Sequence, residues 1–292
     1  MIVSDICGLI RDKARISIDE RSDADLLKVV NAAYRDVCGI RLWKWRQAIT
    51  QVITIASYTT GTAAVTLGSA DVPITTGVPT AAMVGRKFRA NSNLYDIASI
   101  DVTAPNNKIV LTWVFNEASN ATSAYVIFPD GYSLPANFGV QDFVKQEGYQ
   151  PLTYKTKKFM EELLSSRIVF GQPEYYSIWG GKIYFYPIPS SIIQYEFHYW
   201  KSITALALAD TPLIPDNYQN VLLELGVAWE RERNDQDPQK NLDKAQGLID
   251  AMIAEDDEKR DEVEHLGSSS MGSGITVKTT SRVPETFGHE PE

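Results

Sequence analysis

The run Lys182–Asn220, KIYFYPIPSSIIQYEFHYWKSITALALADTPLIPDNYQN, carries a β-region into a helical one in a single stretch. Two aromatic-rich runs flank the corner Pro187-Ile188-Pro189-Ser190-Ser191, a pattern that predicts a hairpin between them. A short loop follows, and Pro215-Asp216 then opens an amphipathic helix. Nothing in the stretch has the residue types of a reaction centre; it reads as scaffold.

Upstream of that stretch, the helical and β periods alternate in blocks. Residues 4–15 predict a first helix, with Ser4 as N-cap and Ile6, Leu9 and Ile10 on one face. Ser22 predicts the cap of a second helix, with Asp23 and Asp25 in its first turn, a stripe of Leu26, Leu27, Val30, Ala33, Tyr34 and Val37, and Gly39 as its stop. The aromatic cluster Leu42-Trp43-Lys44-Trp45 lies at the helix exit. From Gln47 the period becomes that of strands: 48–55, 64–67, 86–89, 94–102, 109–115 and 124–128, separated by Gly-, Pro- and Asn-bearing turns. This block, 47–130, predicts a small antiparallel β-barrel or sandwich inserted between helical parts. A further helix is expected over 156–167, with Phe159, Met160, Leu163 and Leu164 apolar, followed by strands 175–179, 182–186 and 193–200.

Downstream, the helix opened by Asp216 has a predicted stripe of Tyr218, Leu222, Leu225 and Trp229. Asp237-Pro238 restarts the chain as an N-cap with proline at the first helical position, and Leu242, Ala245, Ile249 and Met252 continue the stripe. Residues 267–292 break all periodicity: a Gly/Ser-rich linker precedes Ile275-Thr276-Val277-Lys278-Thr279-Thr280-Ser281-Arg282-Val283, which has strong β-propensity and no local partner. The expected fold class is therefore α+β: an α-helical bundle with an inserted small antiparallel β-barrel or sandwich and an extended C-terminal arm. Its parts are 1–46 (N-terminal helices), 47–130 (β-insertion), 131–211 (mixed helix and hairpin), 212–266 (C-terminal helical hairpin) and 267–292 (arm).

The totals narrow the function. The chain has 292 residues, long enough for one or two cores, and a formal net charge of −9. It has no apolar run of membrane-spanning length and no secretory signal pattern at its start, so neither a membrane span nor a signal peptide is expected. The densest basic clusters, Lys155-Thr156-Lys157-Lys158 and Arg41 to Arg46, are small, which argues against a nucleic-acid groove; an acidic chain can still sit beside DNA without gripping it. Cys7 and Cys38 stand among apolar neighbours and read as buried reduced thiols, the alternative being a disulfide clipping the first two helices.

A search for chemistry returns little. The histidines are His198, in an aromatic strand; His265, at the end of an acidic helix; and His289, in the tail. No His/Cys group has zinc spacing. The only Gly-x-Ser-x-Gly-like pattern, within Gly267–Gly274, lies in a linker, and no phosphate-cradling loop occurs. Glutamate and aspartate are numerous enough, at 37, to supply a hydrolytic carboxylate pair in three dimensions. The run Glu255–Glu262 reads as a solvated helix face. Trp43, Trp45, Trp113, Trp179, Trp200 and Trp229 read as core or interface anchors, with sugar stacking as the alternative.

The order of parts carries a resemblance. NAAYRDVCGIRLWKW is followed by the β-insertion, closed by Tyr132-Ser133-Leu134-Pro135. Then come Gly-Gln-Pro-Glu-Tyr-Tyr at 171–176, Tyr-Phe-Tyr-Pro-Ile-Pro at 184–189, a Tyr-rich strand, and Leu-Ile-Pro-Asp-Asn-Tyr at 213–218. This succession, over nearly all of 20–235, resembles the head-to-tail adaptor (connector) proteins of short-tailed bacteriophages, the family of tail tubular protein A and the tail accessory factors. The resemblance implies a structural virion protein without enzymatic activity or cofactor. It implies a dodecameric ring that joins the portal protein to the tail nozzle protein and forms part of the conduit for genomic DNA. Such a protein is assembled in the host cytoplasm and resides at the head–tail interface. Carried onto this chain, the ring-forming helices are about 22–38, 216–233 and 238–264. The portal-docking arm is 267–292, with Ile275, Val277, Arg282, Val283 and Phe287 as anchors, and Trp43, Trp45, Tyr218 and Trp229 are interface residues. Two rival readings stand beside it. A carbohydrate- or receptor-binding β-module of a virion predicts a Trp-lined open face on the insertion. A hydrolase predicts two facing carboxylates, one with a raised pKa.

Overall fold

The computed structural model describes residues 1–102, 107–166 and 168–268. In chain order it contains helices α1 (Val3–Ala14) and α2 (Asp23–Gly39), strands β1 (Gln47–Ile53), β2 (Thr62–Val65), β3 (Asp71–Thr76), β4 (Lys87–Arg89), β5 (Tyr95–Asp101), β6 (Lys108–Leu111), β7 (Asn120–Ala124), β8 (Val126–Phe128), β9 (Tyr132–Ser133), β10 (Phe138–Gln146) and β11 (Thr153–Tyr154), and helix α3 (Lys157–Ser166). Strands β12 (Phe170–Gly171), β13 (Tyr175–Trp179), β14 (Lys182–Tyr186), β15 (Ile188–Pro189) and β16 (Gln194–Lys201) and helices α4 (Asn220–Arg233) and α5 (Gln239–Ser268) complete it. The chain divides into two units: a helical one of residues 1–37 and 206 onward, and a β-rich one of 38–205.

The helical unit is organised around α4. Val221, Leu222, Leu223, Gly226, Val227 and Ala228 are all buried, so this helix is enclosed on more than one side. Tyr218, Leu225 and Trp229, expected inside, are instead partly exposed: the sequence stripe is offset because α4 packs on several neighbours rather than on one. Gly226 shows how close those neighbours come, since a Cβ there would meet Ile10 Cδ1 of α1 at 2.4 Å and approach Val29 of α2 at 3.8 Å. The start of α1 also departs from expectation. Ile2, not Ser4, occupies the N-cap, without a side-chain cap. The open N–H groups of Val3 and Ser4 donate instead to the carbonyls of Asp210 and Leu208, at 2.9 Å each. Helix α2 follows its sequence signal: the Asp25 N–H donates to Ser22 Oγ at 3.2 Å. Gly39 is the last residue of that helix rather than a left-handed stop after it. Asp237 caps the start of α5 by accepting from the Gln239 N–H at 2.9 Å.

In the β-rich unit, seven strands form one antiparallel sheet in the order β7-β2-β3-β6-β5-β4-β8. The small antiparallel β-barrel or sandwich expected takes the form of a curled half-barrel, whose end strands β7 and β8 do not pair. A cluster of Ala63, Val65, Val72, Phe88, Tyr95, Ile97, Ile109, Leu111, Phe115, Tyr125 and Ile127 fills it. Strand β3 escaped the sequence reading because Pro73 looks like a breaker. Its first half, Asp71–Pro73, pairs with β6, and Ile74 and Thr76 pair with β2. The proline stands where the strand changes neighbours, so its missing N–H costs little pairing.

The hairpin expected around Pro187–Ser191 does not form. Strand β14 pairs with β13 and β9, while β16 pairs with β1 and β10. The real hairpin is β13–β14, turned by Gly180 and Gly181 at φ of 57° and 73°, the left-handed pair a two-residue turn needs. The corner instead carries the chain from a four-stranded sheet (β11-β13-β14-β9) to a three-stranded one (β1-β16-β10). The aromatic residues of the two runs meet across these sheets: Phe185 stacks on Tyr195 at 5.0 Å, in a cluster with Val52, Val144, Tyr176, Ile183, Phe197 and Tyr199. Strand β1, expected to begin the insertion, belongs to this second core.

Candidate functional site

The polar groups buried in the helical unit form two networks. Lys13 of α1 donates to Glu224 of α4 at 2.8 Å. Asn241 of α5 donates to the other Glu224 oxygen and accepts from Arg231 at 2.8 Å. Burial pushes the Glu224 carboxyl up, but the hydrogen bonds from Lys13 and Asn241 outweigh it and hold the group below its usual range. In the second network Arg21 reaches Glu230, which is 1% exposed, with Nη2 at 2.5 Å from Oε1 and Nε at 3.1 Å from Oε2. That two-pronged geometry fits a guanidinium to a carboxylate. Both networks join elements distant in sequence, and neither leaves a carboxylate waiting for substrate.

The same holds for the other shifted carboxyls. Lys259 and Tyr218 donate to Glu255, Tyr218 at 2.6 Å, and hold it low. Lys145 and His198 do the same for Glu196, and Lys28 and Ser22 for Asp25. Each of these groups is held in its ionised form, the opposite of the raised acid that the hydrolase reading requires. Among the described residues no group of three or more His, Cys, Asp or Glu is placed to hold a metal ion. An open hollow of about 400 Å³ lies over Lys13, Asn220, Glu224, Lys244, Gly247 and Leu248, but its carboxylate is already engaged.

The interface residues proposed from sequence are placed as follows. Trp43 is fully buried and stacks on Trp45, with ring centroids 5.9 Å apart. It is therefore a packing residue of its own chain and offers no surface to a second one. Trp45, Tyr218 and Trp229 are partly exposed. Arg46, beside this pair, is buried and donates to the carbonyls of Cys38 and Lys201, at 3.0 Å and 2.7 Å, tying the helix exit to the end of β16. Ile275, Val277, Arg282, Val283 and Phe287 lie outside the described residues. Cys7 and Cys38 are both buried thiols, and burial pushes Cys7 up to about 11. His198 stacks on Phe143 at 4.1 Å. The insertion carries one tryptophan, Trp113, which is 73% exposed, so no Trp-lined face exists there.

Sequence reasoning missed one surface. The outward face of the three-stranded sheet exposes aliphatic residues, Ile49 and Ile53 of β1 at 62% and 53% and Val140 of β10 at 42%, beside Gln47, Gln51 and the Lys145–Glu196 ion pair. The alternation of 47–53 contained the signal, but both faces of β1 carry apolar residues, so its outer face was not separable from its inner one.

The model of the SU10 adaptor protein family matches residues 114–270, and the chain belongs to that family. The match runs from strands β7 and β8 of the half-barrel through β16 and on to the end of α5, leaving α1, α2 and β1–β6 before it. No curated protein matches the chain. The chain is thus a phage head–tail adaptor, a structural component of the virion. No helix among the described residues is long and apolar enough to cross a membrane.

Proposed function

We propose that this adaptor forms a ring of identical subunits between the portal protein and the tail nozzle protein, through which genomic DNA passes without sequence-specific binding. The observation that carries the reading is the family match over 114–270, which takes in the helices α4 and α5 assigned to the ring. The partly exposed Trp229 and Tyr218 on that helical unit supply aromatic area for lateral contacts, and Trp45 does so on the β-rich unit. Contacts of this kind are heterologous and close by rotation. A net charge of −9 keeps a polyanion from adhering to the lumen wall. The terminal arm, 267–292, runs out to the portal.

Deleting 267–292 tests the arm. The truncated chain retains its circular dichroism and thermal transition but binds isolated portal rings more weakly in sedimentation. Equal binding by truncated and full-length chains would remove the arm from the account.

A further inference from the structure

Strand β1 pairs with β16 on one side only. The Thr54 N–H donates to the Ile193 carbonyl at 2.8 Å, which sets the alternation of this antiparallel ladder. Val52, Thr50 and Ala48 turn their backbone groups toward β16, so Ile53, Gln51 and Ile49 turn theirs to the open side. Among the described residues no strand or backbone group pairs with that side.

Proteins normally blunt such an edge with charge, proline or a bulge. The opposite edge of the same sheet is treated that way: β10 has two register shifts and carries Asp142 and Lys145, and Leu152 N–H donates to its Val144 carbonyl at 2.7 Å. Strand β1, QAITQVI, has no charge, no proline and no bulge, and its exposed side chains include Ile49 and Ile53. An edge left open in this way can take an added strand through its main-chain hydrogen bonds.

We infer that the open edge of β1 receives the segment Ile275–Val283 of a second copy of this chain, as an added strand between neighbouring subunits. The chain beyond α5 contains one stretch of matching character and sufficient length. In ITVKTTSRV the odd positions Ile275, Val277 and Val283 give an aliphatic face to lie beside Ile49 and Ile53, and the stretch spans the seven residues of the edge. The inference rests on the proposed ring for its supply of neighbours; it moves Ile275, Val277, Arg282 and Val283 from the portal to the neighbouring subunit and leaves Phe287 and the other residues after Val283 to reach the portal.

The test uses two full-length chains with different tags. One carries Gln51→Cys, on the outward face of β1; the other carries a single cysteine at each of positions 276–280 in turn. The native Cys7 and Cys38 are buried and spectate. On mild oxidation, crosslinks between the two tags should form at Val277→Cys and Thr279→Cys and be weak at Thr276→Cys, Lys278→Cys and Thr280→Cys, the period of an extended strand. Adding Ile49→Lys and Ile53→Lys to the first chain, at exposed positions, should abolish the crosslinks while circular dichroism stays unchanged. A second variant, Val277→Pro in the partner, acts on the donated strand and leaves the β1 sheet untouched. Crosslinks independent of position, crosslinks confined within one chain, or crosslinks that survive these variants would each overturn the inference. Rings that form on the portal without periodic crosslinks would refute the strand and spare the ring; periodic crosslinks without portal binding would do the reverse.

Discussion

The helical unit and the half-barrel solve the problem of holding a shape in opposite ways. The helical unit buries Gln219, Glu224, Glu230, Asn241 and Asp256 among its apolar residues, whereas the half-barrel buries the small hydroxyl of Ser123 and no charged side chain among its described residues, beside its aliphatic and aromatic cluster. A hydrophobic cluster tolerates substitutions of similar volume. A buried ion-pair network contributes little net stability, yet it makes any arrangement that separates its partners costly. A subunit that meets neighbours in one geometry, as we propose, gains from that discrimination where the helices proposed for the ring pack, and this is the role we give to the Glu224 and Glu230 networks.

The largest expected effect lies in the half-barrel. Phe88, fully buried against Tyr125, should lose about 3–5 kcal/mol on Phe88→Ala, read as faster hydrogen exchange across β2–β8 with the helical unit unchanged. Uniform exchange in both units would break the contrast between them.

Next comes the Arg21–Glu230 pair. Arg21→Met leaves the Glu230 carboxylate, 1% exposed, with only the longer 3.5 Å contact to the half-exposed Arg233 among its described charge partners, and should destabilise the helical unit by about 3 kcal/mol. Arg21→Met combined with Glu230→Leu should recover to within about 1 kcal/mol of the parent in urea unfolding, because no uncompensated charge remains. A double variant as weak as the single one would show that the pair contributes stability in its own right.

The smallest effect is with acid. Glu224 and Glu255 titrate below their unfolded value of 4.5 in the folded chain, so each favours folding above that pH. That contribution is lost as pH falls through the lower folded values. The helical unit should therefore loosen as pH drops below the ordinary glutamate range, and Glu224→Gln should flatten the acid limb of its stability profile. An unchanged limb would mean that Glu224 is not held in its ionised form.

Local signals made the helices legible. Ser22 with Asp25, and Asp237 with Pro238, announce α2 and α5 because capping is settled within one turn. The strands were legible where one face is buried, as in β16, where Tyr195, Phe197 and Tyr199 alternate inward. Pairing was not. The aromatic runs on either side of Pro187 have the composition of partners, and only the sheets they join show that they stack face to face instead of hydrogen bonding edge to edge. Gly180-Gly181 did hold the signal for the true hairpin. The burial of α4 on several sides was hidden for a similar reason, since a periodicity reports one face and Gly226 tells of a close neighbour only when Ile10 is seen against it. Of the interface residues, Trp43 was misplaced because composition cannot distinguish an aromatic anchor in the core from one between subunits.

The most direct test is electron microscopy of the full-length chain mixed with its isolated portal. A closed ring of this chain seated on one face of the portal, with α4 and α5 at the contacts between copies, is the predicted image. Portal rings left bare, beside single unassociated copies of the chain at saturating concentration, would contradict the account.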